Sequence, residues 1–205
     1  MLRELLQRVF QKSITRLAIK LSSSPRKEDI FSSLTQLITD ILNKKEEKGL
    51  VVPFDMGSAR FVILSDQHKG AGDRSDDFHN AESNYQAALK YYFENGFYLV
   101  NLGDCEELWE TTPKAAIEKN RLSLLDEAKF FQVNRYCRIF GNHDLEWKYA
   151  IQQTMYLKPI FGDRLEVCEG LVLQTLYNNK TYSIFLTHGH QGDKKSDGNP
   201  FSTWL

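Results

Sequence analysis

The sequence predicts an α/β fold, and two observations carry that prediction. Beyond residue 59, short apolar runs alternate with longer stretches of helical periodicity, which is typical of βαβ units. Polar residues, several of them next to a glycine, follow four of the apolar runs directly. The carboxyl ends of neighbouring parallel strands line one crevice, so we expect the functional side chains to meet there.

Residues 1–50 are predicted to form a helical hairpin in front of an α/β domain at 59–205. Apolar residues recur at steps of three and four over 2–21, and again from Ile30 to Leu42. Ser24 and Pro25 suit the start of the second helix, and Gly49 suits its end.

The elements of the α/β domain follow from the apolar pattern and its interruptions. Strands are expected at 61–64, 97–102 and 136–140, with helices at 80–94, 114–132 and 145–156. Residues 166–177 and 181–187 are expected to pair as a hairpin around Asn178 and Asn179, two residues that favour turns.

The composition excludes several classes of protein. The 26 basic and 27 acidic residues give a net charge of −1, which makes nucleic acid an unlikely partner. No apolar stretch approaches the ~18–20 residues of a membrane-spanning helix. Charges throughout the first 20 residues argue against a secretory signal. The three cysteines, Cys105, Cys137 and Cys168, stand singly in the sequence, and we expect them to be buried, reduced thiols of a cytoplasmic protein.

The first predicted helix carries a basic stripe formed by Arg8, Lys12, Arg16 and Lys20. A solvated helix face is the simplest interpretation of such a stripe. A peripheral contact of residues 1–21 with the inner face of a membrane, an organelle transit segment and a docking face for an acidic partner are the alternatives. The oligomeric state is left open.

The residues that follow four predicted strands are of the types that bind divalent metal ions. Asp66 and Asp104 are 38 residues apart, as are Asp104 and Asn142, and each interval fits one strand–helix–strand step. Carboxylate and imidazole ligands suit Mn, Fe or Zn, and two such ions can activate a bridging water for attack on phosphorus. The candidate residues are Asp66 and His68, Asp104, then Asn142, His143 and Asp144, and finally His188 and His190.

Residues 59–192 resemble the calcineurin-like metallophosphoesterase family, whose blocks D-x-H, G-D, G-N-H-[DE] and H all have matches here. The resemblance implies an α/β/β/α sandwich and the hydrolysis of phosphate esters with two divalent metal ions. It also implies that Asp66 and His68 bind the first ion, that Asp104 bridges both ions, and that Asn142 and His188 bind the second.

The resemblance further implies that His143 donates a proton to the leaving alcohol or stabilises the phosphoryl group, and that Asp144 orients it. The segments 65–70 and 103–109 look closest to the branch that contains the UDP-2,3-diacylglucosamine hydrolases. That branch implies a phosphorylated small molecule or a lipid-linked pyrophosphate as the substrate.

The family's last block, G-H-x-H, has no match, because Gly192 stands where its second His belongs. We expect the chain to be a fragment that lacks the end of the fold. The alternative is a metal site with fewer ligands, in which His190 or Asp193 substitutes locally. A non-catalytic module that binds a partner or membrane through its basic helix is the alternative from another class. A nuclease is the alternative among enzymes.

Other residues near the predicted site have two interpretations each. Lys69, Arg74, Lys194 and Lys195 are either phosphate-binding residues or solvated loop charges. Trp109 and Trp147 are expected to pack under loops, although they could wall the pocket. Glu106 and Glu107 either support the metal ligands or are plain surface charges.

Overall fold

A computed structural model describes residues 25–45, 48–73 and 76–193 of the chain. The predicted helix at 2–21, its basic stripe and Ser24 lie outside the described residues. The second predicted helix is confirmed as α1, Lys27–Leu42. The described residues form a mixed α/β fold with two sheets.

A four-stranded sheet confirms the predicted βαβ units. Its order is β2-β3-β4-β5 and all its pairings are parallel. The strands are β2 Phe61–Leu64, β3 Tyr98–Leu102, β4 Tyr136–Ile139 and β5 Val167–Cys168. The helices that connect the first three strands are α2 Phe78–Glu94, α3 Pro113–Lys119 and α4 Arg121–Gln132.

The helix predicted at 114–132 is divided at Asn120. The side-chain amide of Asn120 donates hydrogen bonds to the carbonyls of Ala116 (2.9 Å) and Gly70 (2.7 Å). This buried side chain therefore ties the break between α3 and α4 to the loop that follows β2.

A second sheet has three strands in the order β1-β6-β7: Gly49–Pro53, Gly170–Tyr177 and Lys180–Thr187. Strands β6 and β7 form the predicted antiparallel hairpin, with Asn178 and Asn179 at φ 47° and 58° in its turn. Strand β1 was not predicted. Gly49 begins this strand and does not end the preceding helix, and a Cβ atom there would lie 2.8 Å from the side chain of Ile41.

The helix predicted at 145–156 is not a single helix, and the irregular segment that replaces it continues to Phe161. The segment consists of a 3₁₀ helix (Leu145–Lys148), α5 (Ala150–Gln152), a π-helical turn (Gln153–Leu157) and α6 (Lys158–Phe161). The buried side chain of Gln153 donates to the carbonyl of Trp147 (2.7 Å) and accepts from the N–H of Val167 (3.2 Å). These bonds hold the irregular segment against β5.

Three apolar clusters lie between the sheets and helices and define how these elements are layered. One cluster lies between the two sheets and includes Val100, Ile139 and Leu171. A larger one joins the four-stranded sheet to the helices that connect its strands, through residues such as Leu89, Leu99 and Leu124. The third joins α1 to the three-stranded sheet. The layers therefore run helix, sheet, sheet, helices.

The three cysteines are free thiols, as predicted, with Cys105 and Cys168 buried and Cys137 half-buried. Within 25–45, 48–73 and 76–193, no helix is both long enough and apolar enough to cross a bilayer.

Helix α1 is packed into the domain through one edge. Leu37 and Ile41 are buried against Val172 of β6, with Ile41 only 1% exposed, whereas Phe31 on the same helix is 67% exposed. Because burial of a large aliphatic side chain contributes strongly to stability, this contact should make α1 part of the cooperative unit.

The substitution Ile41→Ala should lower the free energy of unfolding by about 2–5 kcal/mol, measured by urea denaturation. The matched change Phe31→Ala should alter it by less than about 0.5 kcal/mol. Equal, small effects of the two substitutions would show that α1 does not unfold together with the sheets.

Candidate metal centre

The candidate site lies at the carboxyl edge of the four-stranded sheet. Leu64 pairs with Asn101, and Leu102 with Ile139, so the first three strands end at nearly the same level. Asp66 and Asp104 each follow two residues after the last residue of a strand. Parallel pairing therefore brings residues that are far apart in sequence to one edge.

The backbone at this edge has an unusual conformation. Asp66, His68 and Asp104 have φ values of 57°, 48° and 50°, in the left-handed region that non-glycine residues rarely adopt. Such a conformation costs about 1–3 kcal/mol per residue and is concentrated at functional sites. Three residues in this costly conformation lie at the ends of two neighbouring strands. The rest of the fold compensates for their strain, which indicates that this edge has a functional role.

Two glycines allow the loops to approach one another. A Cβ atom on Gly103 would lie 2.7 Å from Nδ1 of His188, and one on Gly141 would collide with Oδ1 of Asp104. Gly103 also has a φ of 88°. A side chain at either position would therefore displace one of the site residues.

One group of atoms that could hold a metal ion is formed by Asp66, Asp104 and His188, whose donor atoms all lie within 4.8 Å of one another. Nε2 of His188 is 3.1 Å from Oδ2 of Asp104. Nε2 of His68 is 3.7 Å from the same oxygen and 3.8 Å from Oδ1 of Asp66. Four of the predicted ligands thus converge.

Hydrogen bonds leave one nitrogen of His188 for a ligand. Its Nδ1–H donates to the carbonyl of Leu102 (2.8 Å), so Nε2 is the atom that faces Asp104. Burial lowers the pKa of His188, but the hydrogen bond to Asp104 and the charge of that residue outweigh this effect and raise the pKa to about 9. A backbone partner for Nδ1 is common among metal-binding histidines.

Asp104 is the most constrained acid of the group. Oδ1 accepts the backbone N–H of His143 (2.8 Å), while Oδ2 faces His188. Burial alone would raise the pKa of Asp104, but these two hydrogen bonds outweigh it and hold the pKa below its ordinary value. The carboxylate is therefore charged and has its two oxygens turned to different loops.

Glu107 joins two histidines. One of its oxygens lies 2.7 Å from Nδ1 of His68 and 2.8 Å from Nδ1 of His143. These are hydrogen-bond distances, and a carboxylate accepts, so both imidazoles carry their proton on Nδ1. Glu107 therefore supports the site residues, which is one of the two interpretations that the sequence allowed.

Trp109 lies at the site and not under a loop, so that prediction is wrong. Its ring is stacked on His143 at 3.8 Å, its Nε1–H donates to the carbonyl of Asn142 (2.8 Å), and it is 44% exposed. Trp147 is fully buried, as predicted.

Asp144 does not occupy the position at the ring of His143 that the resemblance implies, because Glu107 does. The buried carboxylate of Asp144 accepts backbone N–H groups of Gly141 (2.6 Å), Cys105 (2.9 Å) and Asp104 (3.2 Å). Burial raises its pKa to about 6, against the opposing charge of Arg138. Asp144 thus fixes the loop that carries His143 and the backbone of Asp104.

A network of buried charged side chains lies beneath these loops and supports them. Lys69 is fully buried, 2.9 Å from Glu127 and 3.6 Å from Glu106, so it is neither a phosphate-binding residue nor a solvated charge. Glu106 also pairs with Arg138 and accepts the N–H of Trp147. Neither interpretation given for Lys69 was correct, and Glu106 is not a surface charge.

The remaining candidates are less central. His190 is buried, with its ring 5.8 Å from that of His188, and Asp193 is half-buried. Among the described residues, two groups of donor atoms are clustered closely enough to hold a metal ion: Asp66, Asp104 and His188, and His68, Glu107 and His143. Neither His190 nor Asp193 belongs to them. The backbone carbonyl of Asn142 is held by its hydrogen bond from Trp109. Arg74, Lys194 and Lys195 lie outside the described residues.

A cleft of about 770 Å³ opens beside the donor atoms, between the carboxyl end of β2 and the start of α2. Asp66, His68 and Glu107 form one of its sides. A molecule bound in this cleft would therefore lie directly beside the clustered ligands.

No family model, curated protein or solved structure matches the chain.

The donor set fits a divalent metal ion. It combines two carboxylates with imidazole nitrogens whose other nitrogen is already hydrogen-bonded, an arrangement that suits Mn, Fe or Zn.

Replacement of Gly141 by Ala should weaken the binding of Mn²⁺ at least tenfold, measured by titration calorimetry, because the added methyl group displaces Asp104. Gly57→Ala is the matched control, since a Cβ atom there meets nothing closer than 3.7 Å. Unchanged affinity in Gly141→Ala would show that the position of Asp104 does not matter for the metal.

Proposed function

We propose that the chain is a metal-dependent hydrolase of phosphate esters, built like the calcineurin-like metallophosphoesterases that its motifs resemble. The observation that carries the proposal is the convergence of Asp66, His68, Asp104 and His188 at one edge of the sheet. The layer order of helix, sheet, sheet, helices supports the same family fold.

In this proposal, Asp66 and His68 hold one ion, Asn142 and His188 hold the other, and Asp104 contacts both. When bound, the two ions would activate a water for in-line attack and neutralise the phosphoryl oxygens. The Nε2 atoms of His68 and His188, which face Asp104, and the two oxygens of Asp104 would provide the ligands that this assignment requires, once a metal ion takes the place of the proton that His188 shares with Asp104.

The chain's own residues provide the proton for the leaving alcohol. The backbone of His143 is held by Asp104, its Nδ1–H by Glu107 and one face of its ring by Trp109. An imidazole held on three sides has a fixed orientation, and its Nε2 is the atom that remains to transfer a proton. In this proposal the ring reacts in its doubly protonated form: Nε2–H gives its proton to the oxygen of the leaving alcohol, and the ring is left neutral with its remaining proton on Nδ1. Glu107 and Trp109 are positioning residues in this account.

A cytoplasmic location belongs to the same proposal, and the free thiols of Cys105, Cys137 and Cys168 support it. The substrates proposed are phosphorylated small molecules or lipid-linked phosphates. The alternative, a module without catalysis, is decided by the assay described next.

His143→Ala should lower kcat on phenyl phosphate, whose basic leaving oxygen needs a proton, with added Mn²⁺ by about 10²–10⁴-fold, because a general acid contributes about that much. Metal content, measured by atomic emission, should be unchanged. His79→Ala is the matched control, since His79 is exposed and lies on α2. Loss of metal together with activity in His143→Ala would contradict the role assigned to His143.

Asp104→Asn should lower the metal content below that of the native protein for both ions, because the amide removes one anionic oxygen shared by both. The measurement is the stoichiometry of bound Mn²⁺ after equilibrium dialysis. Two ions per chain in the variant would count against Asp104 as the bridge.

A further inference from the structure

The cleft beside the metal-binding atoms has walls of two kinds. One wall is formed by the metal-binding loop itself, from Leu64 to His68. The other is formed by the first turns of α2 together with Glu110. An ester whose phosphate lay at the donor atoms would have to place its organic group either in this cleft or in solvent.

The α2 wall is largely apolar and firmly held. Phe78 and Tyr85 pack edge to face at 5.3 Å, and Ala81 lies between them on the helix. The hydroxyl of Tyr85 donates to the buried Glu127 (2.9 Å). An aromatic pair anchored in this way offers a preformed surface for an apolar group.

Gln67 gives an independent indication of a ligand. It lines the cleft between two metal ligands, and both its amide nitrogen and its amide oxygen are buried without a hydrogen-bond partner among the described residues. Buried polar groups are rarely left unpaired, and an exception requires an explanation. A turn of the Gln67 side chain toward the cleft would let its amide pair with a polar atom of a bound ester.

Within the part of the chain that the structure describes, the carboxylates at the cleft face no lysine or arginine. Asp77 and Glu110 line the cleft in addition to Asp66 and Glu107. Carboxylates at a binding cleft disfavour an anionic group there.

Building on the proposed function, we infer that the cleft holds the organic group of the substrate and selects esters of apolar alcohols that carry no negative charge. Phe78, Ala81 and Tyr85 contact the apolar body of the alcohol, while Asp77 and Glu110 repel alcohols that bear a carboxylate or a second phosphate. The substrate class is therefore narrower than phosphate esters in general.

The test compares kcat/KM for phenyl phosphate and 4-carboxyphenyl phosphate, with Mn²⁺, in the native protein and in the double variant Asp77→Asn, Glu110→Gln. The native preference for phenyl phosphate should fall about fivefold in the double variant, because each exposed carboxylate contributes a modest repulsion. Comparing variants cancels the different intrinsic reactivity of the two esters. If circular dichroism shows that the double variant is unfolded, Glu110→Gln alone should narrow the ratio by a smaller factor.

A second variant tests the position of the organic group. Ala81→Trp fills the cleft and should raise KM for phenyl phosphate at least tenfold while the affinity for Mn²⁺ stays unchanged. Ala87→Trp, at another exposed position of α2, is the matched control and should leave KM as it is.

The outcomes separate the two proposals. If the native protein hydrolyses neither ester, the proposed function fails. If it hydrolyses both, but the ratio does not change in the charge variants or Ala81→Trp has no effect on KM, the inference about the cleft is overturned and the proposed function stands.

Discussion

The parallel register of β2, β3 and β4 is the constraint on which the candidate site depends. It ends three strands at one level and sends Asp66, Asp104 and Gly141 into the same small volume. The pairing continues past the strands, because the N–H of His68 donates to the carbonyl of Asp104 (3.0 Å). Three segments of the chain turn sharply at this place. The left-handed backbone conformations and the close contacts of the glycines are consequences of these turns.

Local pattern was enough to predict the first three strands of the four-stranded sheet, the β6–β7 hairpin and the four converging site residues, because each depends on an apolar run and the residues just after it. The segment expected as one hairpin strand at 166–177 is divided, since Val167 and Cys168 pair with β4 and only Gly170–Tyr177 belongs to the hairpin. Strand β1 was missed because it follows a charged run and ends at Pro53, so that Gly49 looked like a helix terminus. The contacts of Glu107 and the burial of Lys69 depend on how two loops pair beyond their strands, through the bridge between Lys69 and Glu106. The spacing of residues along the sequence does not show that these two loops pair.

The buried charges connect the site to the rest of the fold. Lys69 directly follows His68 and reaches Glu127 on α4, while Asp144 holds the turns at Gly141 and Asp104. Buried ionic groups are a poor source of net stability, but removing one partner leaves an uncompensated charge and costs about 3–5 kcal/mol. We interpret the network as the scaffold that fixes the strained loops, with stability contributed mainly by the apolar clusters.

The central claim is that the chain binds two divalent ions through these strand ends. The most direct test is a crystal structure of the protein grown with Mn²⁺, with anomalous difference maps collected near the manganese edge. The account predicts two anomalous peaks on either side of Asp104, one bonded to Asp66 and the other to His188. No peak there, or a peak confined to surface carboxylates, would contradict it.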